Sequence, residues 1–248
     1  MRSLAAVVSS FLHLTLFADV SAADRLSITV PTSNGAVVVE RWKDAGVSRP
    51  AVIILSGSAG FGSPAYDDIG KTFEAAGLDA YLVHVLSPID LKNIANAGSA
   101  NARIGYYATR QLAWIAAVQD VISYLRSAPY RVGKIGVVGI SLGAEIAAAA
   151  SSNTTDIGAL VLVDGGFPKG YSKPVSSLPP LLLIWGRADR TFPLSTGRKL
   201  HEIAEGLGGV AKLDVYEGPH DFFLKLKTSQ SKAAYDSAAR FLLSELSK

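Results

Sequence analysis

Residues 134–150 read KIGVVGISLGAEIAAAA and contain two local patterns in succession. The apolar, β-branched residues at its beginning predict a short buried strand, and the alanine-rich residues at its end predict a helix. Between them, residues 139–143 follow the pattern Gly-x-Ser-x-Gly, in which the two glycines let the strand and helix backbones approach closely. The segment therefore predicts a strand, a sharp turn and a helix, with the Ser141 hydroxyl exposed at the turn.

A turn of this kind suits nucleophilic chemistry. The backbone N–H of Leu142 and the N-terminus of the following helix point to the place where a negatively charged oxygen would form beside Ser141. A glycine-rich turn can also simply join a strand to a helix, so the pattern alone does not establish a nucleophile. The strand before it and the helix after it favour one.

Composition limits the classes of protein to which the chain can belong. Of its 248 residues, 49% are hydrophobic and 18% are charged, which predicts one folded α/β domain rather than extensive disorder. The formal net charge of +3 is not gathered into a basic stripe interleaved with aromatic residues, so we expect no nucleic-acid partner. Cysteine is absent, and this excludes disulfides, thiolate zinc sites and a cysteine nucleophile.

The first residues have the pattern of a secretory signal peptide. Arg2 precedes an apolar run over residues 4–17, and small residues at 21–23 provide a cleavage site. We therefore predict a signal peptide over residues 1–22, a single domain over 23–248, and export to the periplasm or the exterior. The apolar run is short for a membrane span, so a stable anchor is not expected, although an uncleaved anchor is the alternative.

The remainder alternates between strand and helix patterns, which predicts a mostly parallel, twisted sheet of about eight strands with helices on both faces. An Asn34-Gly35 pair predicts an antiparallel hairpin at the start. Residues 87–105 are interpreted as a long irregular connection that forms part of a binding face. Strands are predicted at 26–30, 36–42, 51–55, 80–86, 135–138, 159–163, 181–185 and 212–216, and helices at 64–76, 106–127, 143–150, 193–205 and 229–246.

A serine hydroxyl needs a base to remove its proton and an acid to orient that base. Among the histidines, His220 is the candidate base, because it lies in a loop directly after a late strand. The others lie in the leader, in a strand before Ser141 and on a surface helix: His13, His84 and His201.

Two aspartates are admissible as the orienting acid. Asp189 follows the strand at 181–185, and Asp164 ends the preceding strand. Reactive groups gather at the carboxyl ends of parallel strands, so both positions fit. We favour Asp189, whose position after the next-to-last strand matches a histidine after the last; Asp164 is otherwise interpreted as a cap of the Gly165-Gly166 turn.

A second oxyanion donor, besides Leu142, is expected from the glycine-rich loop at 56–62. We favour the backbone N–H of Ser58 or of Ala59, and the sequence does not choose between them. The loop lacks the Gly-Lys-Ser/Thr ending and the Gly-x-Gly-x-x-Gly pattern of nucleotide-binding loops. We therefore predict no cofactor and no metal.

Three motifs together resemble the dienelactone hydrolase family of α/β-hydrolases, over about residues 51–246. They are residues 133–143, 186–189 and 218–222, in that order and at family-like spacing. The resemblance implies the α/β-hydrolase fold, with Ser141 as nucleophile, Asp189 as acid and His220 as base. The family's namesake members carry cysteine at the nucleophile, so the serine here, together with Asp221 after His220, favours an ordinary serine esterase.

The sequence thus predicts a hydrolase that cleaves small carboxylic esters or lactones through an acyl-enzyme on Ser141. Arg103 and Arg110 lie in or beside the long connection, where they could contact a carboxylate-bearing substrate, although we favour a role in surface solubility. Two alternatives stay open: a serine peptidase acting on short peptides, and an exported α/β-hydrolase-fold protein that binds without catalysis.

Overall fold

The computed structural model describes residues 25–42, 49–127 and 133–248. Its strands are β1 (Arg25–Thr32), β2 (Gly35–Trp42), β3 (Ala51–Leu55), β4 (Asp79–Val83), β5 (Ile135–Ile140), β6 (Ile157–Val163), β7 (Leu181–Gly186) and β8 (Ala211–Tyr216). Its helices are α1 (Ala65–Ala75), α2 (Pro88–Asn96), α3 (Ala100–Arg126), α4 (Leu142–Ser151), α5 (Leu194–Gly206) and α6 (Ser229–Leu246), with one 3₁₀ turn at Phe222–Leu224.

The eight described strands form one sheet in the order β1-β2-β4-β3-β5-β6-β7-β8. β1 and β2 form the predicted antiparallel hairpin, β2 pairs antiparallel with β4, and every pair from β4 to β8 is parallel. The carboxyl ends of the parallel strands therefore meet at one edge of the sheet. Both the mostly parallel sheet and its eight strands are confirmed.

Helices cover both faces of the sheet, as predicted. Along β3, Ile53 and Leu55 pack into the core beneath α3, α4 and α5, whereas Val52 and Ile54 pack into the core beneath α1 and α6. A central strand covered on both sides must be apolar at every position, because successive side chains point to opposite faces. This explains why residues 51–55 are all buried.

The predicted irregular connection at 87–105 is wrong, because this segment is largely helical. Ser87 and Asp90 form a capping box at the start of α2, and the Ser99 hydroxyl accepts a hydrogen bond from the backbone N–H of Ala102 at the start of α3. The two caps divide an asparagine-rich stretch into two helices. α3, with 27 residues, is about 40 Å long, and its residues 100–105 are all exposed.

The predicted signal peptide at 1–22 lies outside the described residues. Within the three described ranges, no helix combines the length and the apolar character that a membrane span needs.

Candidate active site

Ser141 lies at a strained turn between β5 and α4, as the sequence predicts. Its φ of 54° is in the left-handed region, which is costly for a residue with a side chain. A Cβ on Gly139 would lie 2.3 Å from the carbonyl oxygen of Gly143, and one on Gly143 would lie 2.4 Å from that of Leu55. Only glycine fits at both positions, so the two glycines of the motif hold the serine at the tip of the turn.

The imidazole of His220 contacts the Ser141 hydroxyl directly. His220 follows β8, and its Nε2 lies 2.9 Å from the Ser141 Oγ. The ring is packed beside the aromatic ring of Phe192 at a centroid distance of 5.6 Å, and a quarter of the side chain (25%) is exposed. His220 is therefore fixed in place yet open to a small molecule.

Asp189 makes the hydrogen bond to the other ring nitrogen. Its Oδ2 lies 2.8 Å from the His220 Nδ1, and its Oδ1 accepts hydrogen bonds from the backbone N–H groups of Thr191 (2.7 Å) and Phe192 (2.9 Å). The Asp189 side chain is fully buried. These bonds set the direction of the carboxylate, and the carboxylate in turn sets the orientation of the imidazole.

Asp164 lies behind this pair, and its interpretation as a cap of the Gly165-Gly166 turn is wrong. Its Oδ1 accepts a hydrogen bond of 2.7 Å from the backbone N–H of Gly186, at the end of β7. A carboxylate oxygen of Asp164, one of Asp189 and a ring nitrogen of His220 all lie within 4.8 Å of one another. Burial raises the pKa of Asp164 to about 8, against the opposing effect of the Gly186 bond.

The glycine-rich loop after β3 runs beside the serine. A Cβ on Gly57 would lie 3.7 Å from the Ser141 Cβ, and the Gly60 N–H donates to the Gly57 carbonyl at 3.0 Å to close a turn. The Gly57 N–H is already used, since it donates to the Tyr66 hydroxyl at 3.1 Å. Between these two glycines lie Ser58, which is half-buried, and the exposed Ala59.

Arg110 has a structural partner. Its Nε donates to the buried Asp90 at 2.8 Å, and Asp90 also accepts from the hydroxyls of Tyr106 and Ser87 and from the Trp114 Nε1. Burial opposes ionisation of Asp90, but hydrogen bonds from Arg110, Tyr106 and Ser87 outweigh it and hold its pKa well below the usual range. Arg110 therefore ties α3 to α2. The one cue to this network in the sequence is the Ser87-x-x-Asp90 capping pattern.

Arg103, His84 and His201 are not part of this hydrogen-bonded group. Arg103 is on the exposed first turns of α3. His84 follows β4, with its Nε2 3.6 Å from a carboxylate oxygen of Glu40, and burial lowers its pKa. His201 is on α5, with its Nδ1 3.3 Å from a carboxylate oxygen of Glu205. The structure thus brings Ser141, Asp189 and His220 together, and it gives His84 and His201, the other two histidines of the described ranges, acidic neighbours of their own.

One family model covers most of the chain. The family model described as "Dienelactone hydrolase family" matches residues 36–246. Among curated proteins, no sequence matches the chain.

Solved structures share its fold at low sequence identity. A dienelactone hydrolase from Anabaena variabilis is 17% identical, with a TM-score of 0.66 over 89% of this chain and 97% of that one. An esterase from Pyrobaculum calidifontis is 17% identical, with a TM-score of 0.68 over 89% of this chain and 84% of that one. An acylaminoacyl peptidase from Pyrococcus horikoshii is 15% identical, with a TM-score of 0.68 over 90% of this chain but 42% of that one.

Proposed function

The chain belongs to the dienelactone hydrolase family, and from that premise we propose that it is a serine hydrolase cleaving carboxylic esters or lactones through an acyl-enzyme on Ser141. The observation that carries this proposal is the unbroken hydrogen-bonded path from the Ser141 Oγ to the His220 Nε2 (2.9 Å) and from the His220 Nδ1 to the Asp189 Oδ2 (2.8 Å). Serine, imidazole and carboxylate in this order form the arrangement that makes an alcohol nucleophilic near neutral pH.

The proposed reaction has two halves. His220 takes the Ser141 proton as the Oγ attacks the ester carbonyl, and the imidazolium then protonates the leaving alcohol as the acyl-enzyme forms. Water next attacks the acyl group while His220 takes its proton. The imidazolium then returns a proton to the Ser141 Oγ as the bond to the acyl group breaks, and the carboxylic acid is released. Asp189 stays hydrogen-bonded to Nδ1 throughout and stabilises the imidazolium.

The oxyanion of each tetrahedral intermediate is assigned to the backbone N–H of Leu142 and one N–H of the loop beside it. Leu142 is the first residue of α4, so its N–H makes no hydrogen bond within the helix. It lies at the positive end of the helix dipole, which favours a negatively charged oxygen nearby. In the turn closed between Gly57 and Gly60, Ser58 occupies the second position, which tolerates proline.

This position allows the second donor to be tested. Ser58→Pro removes the backbone N–H at a position compatible with the turn, and we expect kcat for ester hydrolysis to fall on the order of 10²-fold to 10³-fold. Ser58→Ala is the matched control, because it removes the hydroxyl and keeps the N–H, and its kcat should stay close to that of the wild type. An equal kcat for the two variants would exclude the Ser58 N–H as the second oxyanion donor and leave the Ala59 N–H as the donor from this loop.

The ester preference itself is open to a direct assay. We expect the purified protein to hydrolyse p-nitrophenyl esters of short acids with a kcat/KM well above that for peptide anilides. A series that also includes lactones and acidic esters would define the acyl and alcohol groups. An Arg103 variant with an unchanged KM for an acidic ester would exclude a substrate contact by Arg103. Anilides cleaved faster than esters would instead favour the peptidase alternative.

A peptidase is the second candidate because an acylaminoacyl peptidase shares the fold. That enzyme is more than twice the length of the region it shares with this chain, since the match covers 42% of it. The non-catalytic alternative predicts that Ser141 does not react with a fluorophosphonate. A binding protein has no need to keep a serine, a histidine and an aspartate connected by two short hydrogen bonds.

A further inference from the structure

Asp164 is a buried acid for which the reaction as described has no use. It follows β6, it has a φ of 47°, and only 1% of its surface is exposed. Its backbone N–H donates to the carbonyl of Ile184 in β7, and its Oδ1 accepts from the N–H of Gly186 two residues later. The backbone and the side chain of Asp164 are therefore both hydrogen-bonded to β7, the strand that Asp189 follows.

The second oxygen of Asp164 has no donor. Among the buried side-chain atoms of the described ranges, its Oδ2 is one of the few without a hydrogen-bond partner. The carboxyl group as a whole has acidic and basic neighbours, since one of its oxygens, one oxygen of Asp189 and a ring nitrogen of His220 all lie within 4.8 Å of one another. Two buried carboxylates at this separation repel each other, and neither can donate a hydrogen bond to the other.

One proton shared by the two acids removes this conflict, and the hydrogen bonds indicate which acid holds it. Asp189 accepts from two backbone N–H groups and from His220, whereas Asp164 accepts from Gly186 alone. A carboxylate is more stable where it accepts more hydrogen bonds. The negative charge is therefore assigned to Asp189 and the proton to Asp164. The protonated carboxyl can then donate its O–H to Asp189.

We propose that Asp164 is a neutral carboxylic acid that donates a hydrogen bond to the Asp189 carboxylate, and that it serves as a positioning residue for the Asp189–His220 pair. The pKa of about 8 that burial gives Asp164 agrees with this protonation state. The effect on catalysis rests on the proposed function, but the protonation state does not. The titratable groups that face Asp164 are Asp189 and His220, with the charge of Asp221 acting in the same direction as that of Asp189.

The protonation state can be measured without any substrate, from the melting temperature of wild type and Asp164→Asn as a function of pH. In the unfolded chain this carboxyl ionises near pH 3.9, so between about pH 4 and pH 8 the folded wild type holds a proton that the unfolded chain has lost. The contribution of Asp164 to wild-type stability therefore falls with rising pH across this window, whereas asparagine does not titrate and makes no such contribution.

We thus expect the melting temperature of Asp164→Asn to rise relative to wild type from about pH 4 to pH 8 and then to level off. Glu145, whose pKa burial raises to about 7, is present in both proteins, so its contribution cancels in the difference. A difference that is flat, or that falls with pH, would show an ionised carboxylate at position 164 and overturn the proposal.

The positioning role is tested by comparing Asp164→Ala with Asp164→Asn. An asparagine can accept from Gly186 through its oxygen and donate to Asp189 through its amide, so it reproduces the neutral acid, whereas alanine does neither. We expect alanine to lower kcat by roughly 10-fold to 100-fold with little change in KM, as for other groups that orient a functional side chain, and asparagine to recover most of that loss.

A folded Asp164→Asn that is as slow as Asp164→Ala would contradict the positioning role. The protonation state of Asp164 can be tested independently of the proposed function. If wild type hydrolyses no ester, the proposed function is wrong, and the pH dependence of the two melting temperatures still decides whether Asp164 carries a proton.

Discussion

Replacing Ser141 by alanine is expected to lower kcat for ester hydrolysis by roughly 10⁴-fold to 10⁶-fold, as for other enzymes whose nucleophile belongs to a hydrogen-bonded triad. The Oγ is the atom that would bond to the substrate carbonyl, and it is the group held 2.9 Å from the His220 Nε2. Alanine leaves Leu142 and the loop at 56–62 in place, so the residual rate should come from binding and oxyanion stabilisation alone.

The loss should appear without loss of structure. Both serine and alanine carry a Cβ, so the left-handed backbone at position 141 is about equally strained in the two proteins. The comparison is made by steady-state kinetics on a p-nitrophenyl ester, with thermal unfolding as the control for folding. An alanine variant that keeps more than about a tenth of the wild-type kcat would show that Ser141 is not the nucleophile.

The second large effect is expected at Asp189. Asp189→Asn should lower kcat on the order of 10⁴-fold, because the amide group that replaces Oδ2 can donate to Nδ1 and so stabilise the wrong imidazole tautomer. The remaining oxygen can still accept from Thr191 and Phe192, so the loop itself should keep its conformation.

Asp221→Asn is the matched control for this change. Asp221 is adjacent to His220 in sequence, but its side chain is exposed (65%), with an oxygen 3.8 Å from the Lys225 ammonium, and removing such a surface charge should have little effect on kcat. The role of Asp189 would be refuted if Asp189→Asn lowered kcat only slightly while Asp164→Asn lowered it by several orders of magnitude. That result would make Asp164 the orienting acid.

Much of the fold could be predicted because each central strand carries its own pattern. β3 is apolar at every position from Ala51 to Leu55, and its bounds agree with the prediction to the residue, as do those of α6. The error at residues 87–105 arose because polar, asparagine-rich composition suggested a loop. The helices there depend on the caps at Ser87 and Ser99, together with contacts from Asp90 to α3 that a local pattern cannot show.

The candidate site was predictable to the extent that it depends on chain order. Ser141, Asp189 and His220 each follow a recognisable strand, and parallel strands bring their carboxyl ends to one edge. The place of Asp164 was not predictable, because its side chain turns towards Gly186, on the neighbouring strand, and away from its own turn. The direction of this side chain depends on the register between β6 and β7, which cannot be predicted from the sequence.

The claim that Ser141 is an activated nucleophile is tested most directly by fluorophosphonate labelling followed by peptide mapping. The tryptic peptide at 135–169 also contains Ser151 and Ser152, so fragment ions must locate the adduct within it. We predict one adduct, on Ser141, in the wild-type protein and none in a folded His220→Ala variant. Folded wild-type protein that carries no adduct, or one on Ser151 or Ser152 instead, would contradict the claim.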